Sequence, residues 1–201
     1  MWLLSKVMPK KLRHTREIRV YHWILASSFI LLFYSGQHIS HPRYFPLPRM
    51  GLARLAHFTG QFAFLGAIFW RIHNGIKTGN YREIIPGRKT FSQAPAFFRY
   101  ELFLSSKQPK FPKYNPLQKF LYTFWIPQFL LLGLTGLILY IPQRLSRLEK
   151  TFGGLNRVRR LHYLLSLVAA STVFGHLYLA LTSGKEKLKS IFTGYQARGK
   201  K

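Results

Sequence analysis

Eight histidines are the residues of this 201-residue chain with the most chemistry to offer. His14, His38 and His41 sit in basic or loop-like surroundings and read as surface residues. The other five, His22, His57, His73, His162 and His176, fall inside or at the ends of strongly apolar stretches. Imidazole is a metal ligand and a proton carrier near neutral pH, so an imidazole in an apolar stretch points to a functional site. Cysteine is absent. That excludes disulfides, Cys-ligated zinc, Cys-ligated iron–sulfur clusters, thiol catalysis and thioether attachment of a prosthetic group.

The elements that must position them are visible in where charge is missing. No charged residue occurs in the 23 positions between Arg19 and Arg43, the 16 between Arg54 and Arg71, the 24 between Lys119 and Arg144, or the 24 between Arg160 and Lys185. A helix crossing the hydrocarbon core needs about 20 apolar residues. Three stretches suffice as they stand. The second suffices if Arg54 and Arg71 snorkel to opposite interfaces. A soluble bundle would show a polar face at the helical period, and these stretches are apolar nearly all round. Tyr21, Trp23, Tyr122, Trp125, Tyr140 and Tyr178 lie near their ends, as aromatic residues do at membrane interfaces. The expected fold is an all-α integral membrane four-helix bundle over residues 1–201, with helices at about 19–38, 53–74, 117–142 and 159–183. The segment before the first stretch is long and basic, and no small-residue cleavage site closes the stretch, which argues against a cleaved signal peptide. Pro127 is expected to bend the third helix.

The net charge of +26, from 31 Lys and Arg against 5 Glu, first suggests a polyanion partner. Its distribution disfavours nucleic acid, because the basic residues flank the four spans instead of lining one surface. The two tails and the 71–119 segment hold 6, 6 and 10 basic residues, against 3 and 6 in the two opposite loops. The positive-inside rule then places both termini and the long 75–116 loop in the cytoplasm, with the chain multi-pass. A membrane-surface segment is expected around Phe91–Leu104.

Depth sorts the histidines. His162 and His176 are 14 residues apart, roughly 21 Å along one helix and on one face of it. The alternating direction of the spans puts His57 level with His162 on the outer side and His22 level with His176 on the inner side. Two bis-histidine pairs stacked across a membrane suit two b-type haems, each iron taking imidazoles from facing helices. Gly36, Gly60, Gly66 and Gly175 are small enough to admit flat macrocycles near the backbone. His73 lies on nearly the opposite face from His57, at the inner level, and is an alternative partner for His176 beside the water-facing Arg71 and Asn74.

Several segments carry a family resemblance: Tyr21-His22-Trp23 and Ser35-Gly36, Arg54-Leu55-Ala56-His57 and Arg71-Ile72-His73-Asn74, Lys113-Tyr114-Asn115-Pro116-Leu117-Gln118-Lys119, Thr135-Gly136, and His162 with His176-Leu177-Tyr178-Leu179-Ala180. The tail from Gly184-Lys185 to Ile191-Phe192-Thr193-Gly194 also fits. Together they resemble the di-haem cytochrome b (gamma) subunit of formate dehydrogenase-N-type enzymes, and more broadly the cytochromes b of membrane-bound nickel–iron hydrogenases and thiosulfate reductases. The resemblance implies His57 and His162 as ligands of the outer haem iron and His22 and His176 of the inner one. It further implies a quinone site, for menaquinone or ubiquinone, near Asn115, Gln118 and His176. Leu117 departs from the glycine usual at its position in that family. For Asn115 and Gln118, helix capping is the competing reading.

The function expected from these features is electron transfer in a respiratory chain, between a periplasmic-side redox partner and the quinone pool. That partner would be an iron–sulfur or multihaem cytochrome subunit of a formate dehydrogenase-like complex with its own catalytic subunit. The basic cluster Arg144–Arg160, with Arg157, Arg159 and Arg160, is expected to dock its acidic face. Two other readings stand beside this one. The first is a stand-alone four-helix cytochrome b oxidising a small reductant onto quinone. The second is a non-haem membrane anchor or transporter component, disfavoured because no acid lies within the four spans.

Overall fold

In the computed structural model, which describes residues 10–107, 109–182 and 184–197, the four charge-poor stretches form four long helices. The chain runs β1 (Lys10–Leu12), α1 (Arg16–Ser40), α2 (Met50–Thr78), α3 (Tyr81–Ile84), α4 (Arg88–Glu101), α5 (Pro116–Tyr140), α6 (Ser146–Thr151), α7 (Leu155–Thr182), α8 (Lys185–Thr193) and β2 (Tyr195–Ala197). The first nine and last four residues of the basic tails lie outside the described residues.

The spanning helices α1, α2, α5 and α7 have 25, 29, 25 and 28 residues. At about 1.5 Å per residue they exceed a hydrocarbon core of about 30 Å. Each begins before its apolar stretch, α1 at Arg16, and α2 also ends beyond it, at Thr78, because Arg and Lys stems can lie along a helix end while their heads reach headgroups. Buried hydroxyls close back on the helix: Ser35 donates to Leu31 O at 2.6 Å and Thr135 to Leu131 O at 2.8 Å. These two hydroxyls are thereby paired within their own helices. Ile30, Phe62, Phe69, Leu164, Phe174 and Leu181 point outward and are exposed, as lipid-facing side chains must be. Pro127 sits within α5, which runs on through it.

α1 packs along α2 and α5 along α7, and these two hairpins meet through a slighter α2–α5 contact. At that contact Leu65 lies over Gly133, where a β-carbon would stand 2.5 Å from Leu65 Cδ2 and force that side chain to shift. The space between the hairpins is where the histidines of α1, α2 and α7 meet.

The two ends of the described chain come together at one end of the bundle. Lys10–Leu12 pair antiparallel with Tyr195–Ala197. Gly194, at φ 86°, accepts from the backbone N–H of Arg13 at 2.8 Å and of His14 at 3.1 Å. A side chain at Gly194 would strain the left-handed backbone and press on His14 O. The Trp23 indole donates to Ile191 O at 3.4 Å, fastening α8 to the start of α1. The expected surface segment near Phe91–Leu104 is largely the helix α4. It packs on the start of α5 through Phe91 and Phe120, whose ring centroids are 5.4 Å apart.

Candidate functional site

α7 carries a histidine at each level. At the end far from the termini, its His162 faces His57 of α2, with ring centroids 6.3 Å apart and planes at 75°. Toward the terminal end, its His176 faces His22 of α1, with centroids 6.4 Å apart and planes at 55°. An imidazole built from bonds of about 1.33 Å has its nitrogens roughly 1.1 Å from its centroid. A first-row metal binds imidazole nitrogen at about 2.0 Å. Two imidazoles on opposite sides of one ion therefore have centroids roughly 6.2 Å apart. Both pairs have that spacing.

The outer pair is held by a repeated device. Nδ1 of His57 lies 3.0 Å from Leu32 O and 3.0 Å from the Ser35 hydroxyl. The Ser35 proton goes to Leu31 O, and carbonyls only accept, so Nδ1 of His57 must carry its own proton. Nδ1 of His162 likewise lies 2.9 Å from Thr135 Oγ1, whose proton goes to Leu131 O. Both rings are thus left with a bare Nε2, the nitrogen a metal needs. The residue after each hydroxyl is glycine. A β-carbon at Gly36 would stand 3.0 Å from Cε1 of His57, and one at Gly136 3.4 Å from Cε1 of His162. A Ser-Gly on α1 and a Thr-Gly on α5 each seat the histidine of the next spanning helix. The hydroxyl-glycine dipeptides near the ends of the first and third apolar stretches were the sequence signal for this role.

A cavity of about 690 Å³ opens beside this pair, lined by both rings, Gly36, Gly136 and Gln61. Its volume lies within the range of small-molecule and cofactor sites. Nε2 of Gln61 is buried without a hydrogen-bond partner.

The inner pair has a different environment. Nδ1 of His22 and of His176 are buried and unpartnered. His176 lies against Trp125 and Tyr122, at centroid distances of 5.4 and 5.9 Å, and Tyr122 lies 5.4 Å from Tyr114. Trp125 is fixed by donating to Thr172 Oγ1 at 2.9 Å. Asn115 and Gln118 form a reciprocal cap at the start of α5: Gln118 N donates to Asn115 Oδ1 at 2.8 Å and Asn115 N to Gln118 Oε1 at 3.1 Å. The capping role thus occupies both carbonyl oxygens and leaves the amide N–H donors of both side chains. Gln118 is one turn before Tyr122. Just outside the span, burial holds the Tyr114 hydroxyl up at about 12.

Two of the other histidines differ from their sequence reading. His38 is not a surface residue. It is buried in the last turns of α1, with Nδ1 2.7 Å from Phe45 O and 3.2 Å from Leu47 N, where it folds the connection to α2. His14 is half-buried under the terminal strands. His41 is exposed as expected, with its ring 5.5 Å from that of Tyr163. His73 is exposed, and His22 is the ring that stands beside His176. Gly60 packs against Leu31 and Leu32, while Gly66 and Gly175 have no neighbouring atom within 4 Å of a β-carbon position.

The sequence profile of the prokaryotic cytochrome b561 family matches residues 13–194, which takes in all four spans and both histidine pairs. The chain belongs to that family. It is a multi-pass protein of the bacterial inner membrane and a cytochrome b561-type electron-transfer subunit, and membership implies b-type haem. This cytochrome is also similar to a putative cytochrome, YdhU, of Escherichia coli, at 27% identity over 90% of this chain and 73% of that protein. It is similar to probable Ni/Fe-hydrogenase B-type cytochrome subunits of Cupriavidus necator, at 26% identity over 89% of this chain and 84% of the relative, and of Azotobacter vinelandii, at 26% over 82% and 77%. The residues present fit the cofactor: two imidazole pairs at ion-bridging distance and, in the outer pair, bare Nε2 atoms with glycine beside each ring.

Proposed function

We propose that this cytochrome carries two b-type haems, one between His57 and His162 and one between His22 and His176, and so connects a redox partner on the outer side to the quinone pool. The observation that carries the reading is the pair of ring distances, 6.3 and 6.4 Å, on one helix at two depths. Bound b-type haem supplies a one-electron carrier at each level. The chain's own contribution is to hold four imidazoles at two depths and to keep the outer Nε2 atoms bare.

Both termini lie on the cytoplasmic side in this reading, supported by the excess of Lys and Arg at the terminal end of the bundle. The quinone site is at that end, at Asn115, Gln118 and His176. Its support is the amide donors left by the cap and the unpartnered Nδ1 of His176. Menaquinone and ubiquinone both offer carbonyls to such donors. The partner is an iron–sulfur or multihaem cytochrome subunit of a complex with a catalytic subunit. The hydrogenase-named relatives favour a hydrogenase-type complex, and formate dehydrogenase-like architecture is the neighbouring alternative.

The test is haem stoichiometry and the reduced-minus-oxidised spectrum of the purified protein. Two haems per chain are expected, with one lost in His162→Ala and the other in His22→Ala. One haem per chain, or retention of both in either variant, would overturn the assignment. Co-purification of a second subunit separates this reading from a stand-alone cytochrome.

A further inference from the structure

The outer cavity has a charged mouth that ligation of iron does not use. Arg54 of α2 and Arg159 and Arg160 of α7 line the same cavity as His57 and His162. Arg54 precedes His57 by three residues and Arg159 precedes His162 by three, a spacing that puts each pair on one helix face. Three arginines from two helices therefore line one cavity.

Their charge is not met by the protein. Among the described residues the one ion pair is Lys113–Glu83, at the other end of the bundle. Glu149, the acid on the connection leading into α7, accepts from Leu155 N at 3.2 Å. Arg159 gives one N–H to Asn156 Oδ1 at 3.2 Å, and Arg160 gives Nε to Asn156 O at 3.4 Å. Most of their donors remain open. Arg157, the third arginine of the basic cluster, lies folded over Gly153 and does not line the cavity. The expected docking patch is thus divided, two of its arginines serving the cavity wall.

Unpaired guanidinium groups at the rim of an apolar cavity favour a ligand with an apolar body and carboxylates at its edge. We propose that Arg54, Arg159 and Arg160 form a carboxylate clamp for the propionates of the haem held by His57 and His162. The inference rests on the b-type haem reading of that site. Arginine suits the task better than lysine, because its planar fork can bind a carboxylate through two parallel hydrogen bonds. The clamp fixes which edge of the macrocycle faces the outer surface. Its positive charge also favours the reduced form of the outer centre, since cations near a redox site stabilise the added electron.

The test uses the full-length protein in detergent, with Arg54→Gln, Arg159→Gln and Arg160→Gln singly and together, and a triple Lys variant that keeps charge without the fork. Readouts are haem per chain, the rate of haem loss to apomyoglobin, and the midpoint potential of each centre by optical titration. The expected result for the triple Gln variant is roughly tenfold faster loss of one haem, as loss of charge-assisted hydrogen bonds implies, and a lowered potential of that centre alone. The triple Lys variant is expected to recover the potential and only part of the retention. Haem-depleted wild type should prefer haem to its dimethyl ester, and the triple Gln variant should not. Unchanged haem loss, potential and ester discrimination in a monodisperse triple Gln variant would overturn the clamp, and weakened partner binding alongside would assign these arginines to docking. A wild-type protein with no b-type spectrum would instead defeat the haem reading itself.

Discussion

Thr135 Oγ1 stands 2.9 Å from Nδ1 of His162 and accepts a hydrogen bond from it, while donating its own to Leu131 O. The hydroxyl thus does two things at once. It closes its own helix in the buried interior of the bundle, and it dictates which nitrogen of a neighbouring imidazole stays bare. Ser35 stands in the same relation to His57, with Leu32 O sharing the Nδ1 proton.

Removal of that acceptor should act through the ring. Thr135→Val keeps the shape but leaves the Nδ1–H of His162 without its hydroxyl partner, at a cost of about 1–3 kcal/mol. The expected outcome is a lower thermal midpoint and weaker retention of one haem, with recovery in Thr135→Ser. A Val variant indistinguishable from wild type in haem loss and melting would show the contact to be incidental.

The glycines beside the hydroxyls should differ in tolerance. A β-carbon at Gly36 would lie 3.0 Å from Cε1 of His57, and one at Gly136 3.4 Å from Cε1 of His162. Gly36→Ala is therefore expected to displace its histidine and reduce outer haem content, while Gly136→Ala is nearly silent. Haem per chain in the two purified variants decides it. Equal losses, or a greater loss at Gly136, would contradict the ordering.

The cap at the start of α5 separates two roles of one residue. Asn115→Asp retains the acceptor that receives Gln118 N and removes the amide donor, whereas Asn115→Ala removes both. If the donor serves quinone, both variants lose quinone-linked turnover and only the Ala variant loses stability, by about 1 kcal/mol. Full turnover in Asn115→Asp would reduce Asn115 to a capping residue.

His14 should make the terminal junction sensitive to acid. Burial, with Arg13 and Lys113 adding their charges, pulls its imidazole from 6.5 down to about 4. Between those values the opened segment binds a proton that the closed one does not, so stability falls as pH drops from 6.5 toward 4. Above 6.5 His14 contributes no slope. The melting temperature of wild type should fall more steeply than that of His14→Gln on moving from pH 7 to pH 5. Parallel curves would remove His14 as the cause.

Much of this architecture is legible in one dimension because a bilayer leaves few options. A backbone in hydrocarbon must pair its own polar groups, so a long apolar stretch is a helix and its ends follow the first Arg or Lys that can reach headgroups. The 14-residue spacing of His162 and His176 is likewise a one-helix property, computable from rise and turn. Gly66 and Gly175 show where that reasoning stops. Their smallness is a sequence fact, but only the packing of neighbouring helices decides which glycine meets a ring, and the rings found Gly36 and Gly136. His38 is the same case: a polar residue at a stretch end looks solvent-facing until the following loop folds back and offers Phe45 O and Leu47 N.

The sequence by itself determined that this chain crosses the membrane four times and sets histidines at two depths along its spans, since both follow from local composition and helical period. Only the tertiary structure decided which imidazoles face one another, which hydroxyls hold them and which arginines share their cavity. Those relations join residues of different helices, and the packing of one helix against another is set by side chains far apart in the chain.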